Sequence, residues 1–301
     1  MKPSVGFVGL GHMGTPMCQH LLNRAYEVHL YDINEQALAR FQGTSAYPAA
    51  SLQEIAQAVD VVVLMLPDSH IVEQVVLGEH GLSTGLAAEK VLIDMSSSQP
   101  SSTQRIAQVL AARGVHMLDA PVSGGVPRAK EGTLTIMVGG ERQIFEQHQE
   151  LLQVFGNRLF YVGEHGSGHL TKALNNLLSA TTLASAVEVV LLGMRAGLDP
   201  AVLIEVVNAS TGRSNSTEVK FPRYILNRSF DDGFALKLMS KDLKTALATA
   251  AELEFPLLIG SVVNQLWQAA VTQGFGEDSH TVFYKFLEEL TMQQTKGKDS
   301  V

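Results

Sequence analysis

Lys172 and Asn176 stand four residues apart in the run Lys172-Ala-Leu-Asn-Asn176, within an otherwise apolar helical pattern. On a helix that spacing puts both side chains on one face. An ammonium there is costly to bury without a purpose or a partner. It can donate a proton to, or hydrogen-bond, a carbonyl oxygen that becomes an alkoxide. Asn176 can then fix a substrate hydroxyl or the lysine itself. On residue type alone, Lys172 is equally a lysine whose charged head snorkels from a helix end. A second cluster, Asp119-Ala-Pro-Val-Ser123-Gly124-Gly125, offers a hydroxyl and exposed backbone N–H groups. These can cradle a carboxylate, or simply form a turn. Ser96-Ser97-Ser98 and Leu66-Pro67 each follow an apolar run, and Pro67 equally serves to end a strand. Lys241-Asp242 opens a later helical stretch, where an ordinary solvated pair is the plain alternative.

A reaction partner for these groups is written at the start of the chain. The apolar run Val5–Val8 leads into Gly9-Leu10-Gly11-His12-Met13-Gly14, and a helical pattern begins at Met17. In a strand–turn–helix, such glycines allow a tight turn, close approach to a pyrophosphate and close helix–strand packing. The helix then directs unsatisfied N–H groups at the phosphates. A second apolar run, Val28–Tyr31, ends at Asp32. That is roughly 20 residues on, where a carboxylate can hold the adenosine ribose hydroxyls. The pattern implies a dinucleotide site, with NAD preferred because Asp32 would repel the extra phosphate of NADP. His12 shapes the loop or faces solvent.

The elements that must position these residues alternate. Strand-like runs at Val5–Val8, Val28–Tyr31, Val61–Leu66, Val91–Asp94, His116–Ala120, Thr133–Val138 and Leu159–Val162 are separated by helical patterns at Glu35–Phe41, Leu52–Ala58, Ser101–Arg113 and Arg142–Phe155. This predicts an α/β fold with a mostly parallel sheet covered on both faces. After Gly163–Gly168 the strand pattern stops. Leu170–Ala196 reads as one long helix, apolar almost all round, and so expected to be buried on most faces. Helical patterns follow at Pro200–Ala209, Glu218–Leu226, Ser240–Leu253, Leu257–Gln273 and Ser279–Leu290, and the sequence turns polar from Thr291. The expected organisation is a dinucleotide-binding domain (1–164), an all-helical substrate and oligomerisation domain (165–292) and a polar tail (293–301).

The 301 residues carry a net charge of −8, with 46% hydrophobic and 17% charged residues. That describes a globular chain and argues against a nucleic-acid partner, which needs a basic face. Cys18 is the single cysteine and excludes an intrachain disulfide; its apolar neighbours suggest core filler. The apolar runs read as too short to cross a bilayer, and no export segment opens the chain, so a protein of the cytoplasm, or of an organelle matrix once any targeting segment has gone, is expected. The ten histidines show no compact metal-ligand spacing, so no metal is expected, and no GxSxG elbow is present.

Taken together, these motifs resemble the β-hydroxyacid dehydrogenase family, which includes 3-hydroxyisobutyrate dehydrogenase and tartronate semialdehyde reductase. The likeness spans residues 4 to 290 and rests on Gly6–Met17, Asp119–Gly125, Gly166–Asn176 and Lys241-Asp242-Leu243. It implies a Rossmann domain followed by an all-α domain, joined by the long helix, in a homodimer or homotetramer. It implies that Lys172 is catalytic with Asn176 orienting the substrate, and that Ser123, Gly124 and Gly125 contact a small carboxylate substrate. Gly9, Leu10, Gly11, His12, Met13, Gly14, Asp32, Leu66, Pro67, Ser97 and Lys241 would line the cofactor. The activity implied is reversible hydride transfer between NAD and a 3-hydroxyacid or its semialdehyde. The alternatives are an imine reductase, or a non-catalytic NAD-binding protein on the same fold. Ile93–Ser97 looks most like the tartronate semialdehyde reductases, whereas Ser210–Thr217 looks closer to hydroxyisobutyrate-type members. Arg213 either reads a second polar or anionic group or is a surface arginine.

Overall fold

The computed structural model describes residues 2–293; residues 294–301, nearly all of the expected tail, lie outside the described residues. Two compact units divide the chain, Met1–Lys172 and Ala173–Val301. Each is built around its own core.

The first unit is a sheet of β1 (Val5–Val8), β2 (Val28–Tyr31), β3 (Tyr47–Pro48), β4 (Val61–Leu64), β5 (Val91–Asp94), β6 (His116–Asp119), β7 (Val122–Ser123), β8 (Thr135–Gly140) and β9 (Arg158–Gly163). The order is β3-β2-β1-β4-β5-β6-β8-β7, with β9 paired to β8. Strands β1 to β6 are parallel, β8 runs antiparallel to β6 and β7, and β9 is parallel to β8. β1 sits between β2 and β4, so successive strands depart from it in opposite directions. A crevice forms at such a switch point, beyond the carboxyl ends of the strands. β1, β4 and β5 are buried along their whole length, as expected when helices cover both faces. The two-residue strands β3 and β7 left no legible run. The helices Ser69–Leu77 and Gly125–Glu131 were not anticipated either. The first starts where Asp68 accepts from Ile71 N, just after Pro67 closes the preceding segment.

Cys18 is fully buried, and burial pushes its thiol far up. That makes it inert core filler.

In the second unit, Trp267 is fully buried and stacks on Phe283 with centroids 4.4 Å apart. The pair belongs to one core with Ala180, Leu183, Val187, Phe221 and Leu243. The long helix runs Ser167–Arg195, starting inside the glycine-rich segment. By length and composition it could cross a membrane, contrary to the expectation that no apolar run could. It also departs from burial on most faces. One stripe (Ala173, Leu177, Ala180, Ala184 and Val187) is core, while Leu174, Leu178, Val189 and Leu192 are exposed. Ser216–Ile225 is a π-helix with Pro222 inside it, rather than the α-helix expected over Glu218–Leu226. Its wide turns close through bonds such as Leu226 N to Phe221 O at 2.9 Å. The last helix continues to Gln293, the first residue of the expected tail.

Candidate active site

The glycine loop follows β1 at the switch point. Gly9 has φ +97°, and a Cβ there would lie 2.3 Å from Met65 O, at the end of β4. A Cβ on Gly14 would lie 1.9 Å from Gly9 O. Both positions therefore need glycine to let the turn and the helix Gly14–Asn23 close on the strand. Gly11 differs: it is exposed, and a Cβ there would meet no protein atom within 4 Å. The protein alone does not require a glycine at that position, whereas a phosphate lying against the backbone does. The loop therefore fits a dinucleotide. Leu10 is fully buried, Met13 packs against the core and His12 is exposed.

Asp32, at the end of β2, is tied to this loop. Its Oδ2 accepts from Leu10 N at 2.6 Å and its Oδ1 from Asn34 N at 2.8 Å. The carboxylate is half-buried and the neighbouring Ile33 is 92% exposed. Such a pairing suits a ribose beside an apolar ring. At the ends of β4 and β5, Leu66 N donates to Ser96 Oγ at 2.9 Å, and Asp94 accepts from Ser96 N and Ser98 Oγ. Pro67 is exposed and Ser97 half-buried on these same strand ends.

The start of the long helix is held by a cluster the sequence did not single out. Asp94 and Asp119 end neighbouring strands in register, and both are fully buried. Asp119 Oδ1 accepts from Gly166 N at 2.9 Å and Oδ2 from His169 N at 3.0 Å. It thereby satisfies two of the N–H groups a helix start leaves open. The buried His169 pairs its Nδ1 with Thr103 Oγ1 at 2.7 Å, and its Nε2 lies 3.7 Å from Asp94 Oδ2. Gly168 packs so closely that a Cβ would sit 2.5 Å from Met137 O. One carboxylate thus ties the turn that leads to Lys172 to the strand end that continues into Ser123–Gly125. The available signal was an acid closing each of two apolar strands, Val91–Asp94 and His116–Asp119.

Lys172 and Asn176 are both buried, one turn apart. Asn176 Nδ2 donates to Asp242 Oδ2 at 2.5 Å, and Asp242 is also 3.4 Å from Lys241 Nζ. Ser123 is half-buried on β7 and Gly124 is exposed. Arg213 is exposed and lies 3.3 Å from Glu218, an ordinary surface pair. Lys220, which the sequence did not single out, is buried on the π-helix.

Residues 4–163 match the NAD binding domain of 6-phosphogluconate dehydrogenase, and residues 166–287 match the NAD-binding domain of NADP-dependent 3-hydroxyisobutyrate dehydrogenase. The chain is 37% identical to 2-(hydroxymethyl)glutarate dehydrogenase of Eubacterium barkeri, over 97% of each chain. The chain belongs to the β-hydroxyacid dehydrogenase family. The mitochondrial 3-hydroxyisobutyrate dehydrogenase of Mus musculus is 34% identical, over 96% of this chain and 88% of that one. A solved Mycobacterium tuberculosis 3-hydroxyisobutyrate dehydrogenase with L-serine superposes with a TM-score of 0.87 at 25% identity, covering 95% of this chain and 99% of that one. The β-hydroxyacid dehydrogenases are oxidoreductases, and this member carries their Rossmann domain and helical domain in that order.

Two outcomes test the site's construction. Gly11→Ala should leave stability within about 0.5 kcal/mol of wild type and weaken NADH binding at least about tenfold, measured by thermal melting and by fluorescence titration. Unaltered binding would remove the phosphate from that space. For Asp119, burial pushes the carboxyl up, while His169 and the two backbone N–H groups pull it back. A carboxyl raised in the folded state adds most stability below the ordinary carboxylate range, and loses it as pH rises through the raised value. The stability difference between wild type and Asp119→Asn should therefore shrink from about pH 4 towards neutrality. A difference that grows over that range would contradict the assignment.

Proposed function

We propose that the protein is an NAD-dependent dehydrogenase that reversibly oxidises a small 3-hydroxyacid to its semialdehyde. The observation that carries this reading is the buried Lys172 one turn before the buried Asn176, on a helix whose start is locked to the sheet. The nicotinamide, when bound, accepts or supplies the hydride. The remaining chemistry falls to the chain. Ser123, Gly124 and Gly125 hold the substrate carboxylate, and Asn176, braced by Asp242, orients the hydroxyl. In reduction the Lys172 ammonium gives its proton to the forming alkoxide; in oxidation the neutral amine takes the hydroxyl proton. Gly9–Gly14 and Asp32 hold the dinucleotide, with Leu66, Pro67, Ser97 and Lys241 beside it.

The substrates named for the relatives, 3-hydroxyisobutyrate, L-serine and 2-(hydroxymethyl)glutarate, share this carboxylate and primary hydroxyl and are the candidates to screen. We further propose a soluble, cytoplasmic homodimer or homotetramer. The exposed Leu174, Leu178, Val189 and Leu192 on the long helix form an apolar face suited to a second copy.

Lys172→Ala and Lys172→Arg should both retain less than a tenth of wild-type turnover, against the usual ~10²-fold worth of a general acid or base. NADH affinity should stay near wild type. Arginine keeps the charge but cannot serve as the base. Steady-state rates in both directions, with NADH titrations, check this; a variant as active as wild type would exclude the role. NAD should be used at least about tenfold more efficiently than NADP, because Asp32 repels a ribose phosphate. Asp32→Ala should narrow that gap. Equal kcat/KM for the two cofactors in wild type would refute the preference.

A further inference from the structure

Lys220 is only 7% exposed, as deeply placed as Lys172 at 9%. Its Nζ donates to Ser179 Oγ at 3.0 Å, a neutral partner. The acid whose charge it feels, Asp232, is engaged elsewhere: Asp232 accepts from Ser279 Oγ, and its Oδ2 lies 2.7 Å from His280 Nδ1. Burial lowers Lys220 to about 8, with Asp232 opposing the shift, so the side chain is still mostly charged at neutral pH. A desolvated ammonium hydrogen-bonded to a hydroxyl is a costly arrangement in the protein alone. An incoming anion relieves that cost.

The place it occupies is informative. Counting at 3.6 residues per turn, Ser179 comes back to within about 20° of Lys172 around the long helix, roughly 10 Å further along its axis. Asn176 lies between them. Ser179 is half-buried, so the pair is not sealed in the core. The element that delivers Lys220 is a ten-residue π-helix. This rare geometry, frequent at functional sites, turns Thr217, Lys220, Phe221 and Ile225 inward together. Arg213, the cation that the sequence offered for a second anionic group, is instead exposed and faces Glu218.

We propose that Lys220 is the specificity-determining residue of the substrate site, taking a second carboxylate on a short chain that branches from the 3-hydroxyacid. The preferred substrate class is then a dicarboxylic 3-hydroxyacid. This rests on the dehydrogenase reading above, in which Lys172 meets the hydroxyl and Ser123–Gly125 the first carboxylate.

The test compares kcat and KM for 2-(hydroxymethyl)glutarate and 3-hydroxyisobutyrate, with saturating NAD, in wild type, Lys220→Met and Lys220→Arg. Wild type should favour the dicarboxylate at least about tenfold in kcat/KM. Lys220→Met should raise KM for the dicarboxylate at least about tenfold more than KM for the monocarboxylate, and Lys220→Arg should restore part of the preference. An equal loss on both substrates would mark a structural lysine and overturn the proposal. So would a wild type without preference, a result that stands even if the variants fail to fold. A wild type that binds NADH but turns over neither of these acids nor L-serine would instead overturn the dehydrogenase reading, and this assignment with it.

Discussion

The carboxylate of Asp119 is the constraint on which the rest of the site depends. It leaves the end of β6 fully buried and accepts two backbone N–H groups from the start of the long helix. Burying a carboxylate is costly unless donors surround it, and a helix start buried without acceptors is costly too. Each solves the other's problem. His169 closes the arrangement from the helix side, bonded to Thr103 and close to Asp94. The direction and depth of Lys172 follow from this junction, because only one helical turn separates it from His169.

The sheet places the remaining groups by a different logic. Parallel strands end together, so the residues following β1, β2, β4 and β5 gather at one edge whatever their separation in the chain. The bond from Leu10 N to Asp32 and the bond from Leu66 N to Ser96 are the local evidence of that gathering. Close packing at Gly9 and Gly14 shapes the loop for the protein's own sake, whereas the open space at Gly11 leaves room for a ligand against the backbone. Structure and function thus divide the three glycines between them.

Charge along the helical part of the chain follows burial more than composition. The chain is acidic overall, at −8, yet two of its lysines, Lys172 and Lys220, are withdrawn from solvent. A cation in that position interacts strongly with whatever approaches, since little water intervenes. Arg213, a few residues from Lys220, carries the same formal charge in water beside Glu218, where an ion pair contributes little. Within this segment it is the π-helix that separates the two fates.

The sequence by itself determined the strands of the parallel sheet, several to the residue, because each is a buried apolar run between turn signals. It also determined the glycine loop, Asp32 and the Lys172/Asn176 spacing, since those are local relations of residue type along one strand or one helix. The two-residue strands β3 and β7 were not legible, having no periodicity to read. The burial of the long helix was misjudged because its apolar residues encircle it, and only the packing of its neighbours decides which stripe is covered. Asp94, Asp119 and His169 meet through strand register and a helix start far apart in the chain. Lys220 turns inward on a π-helix whose hydrogen-bond pattern has no distinct sequence period. Both depend on distances between elements, which tertiary structure alone decides.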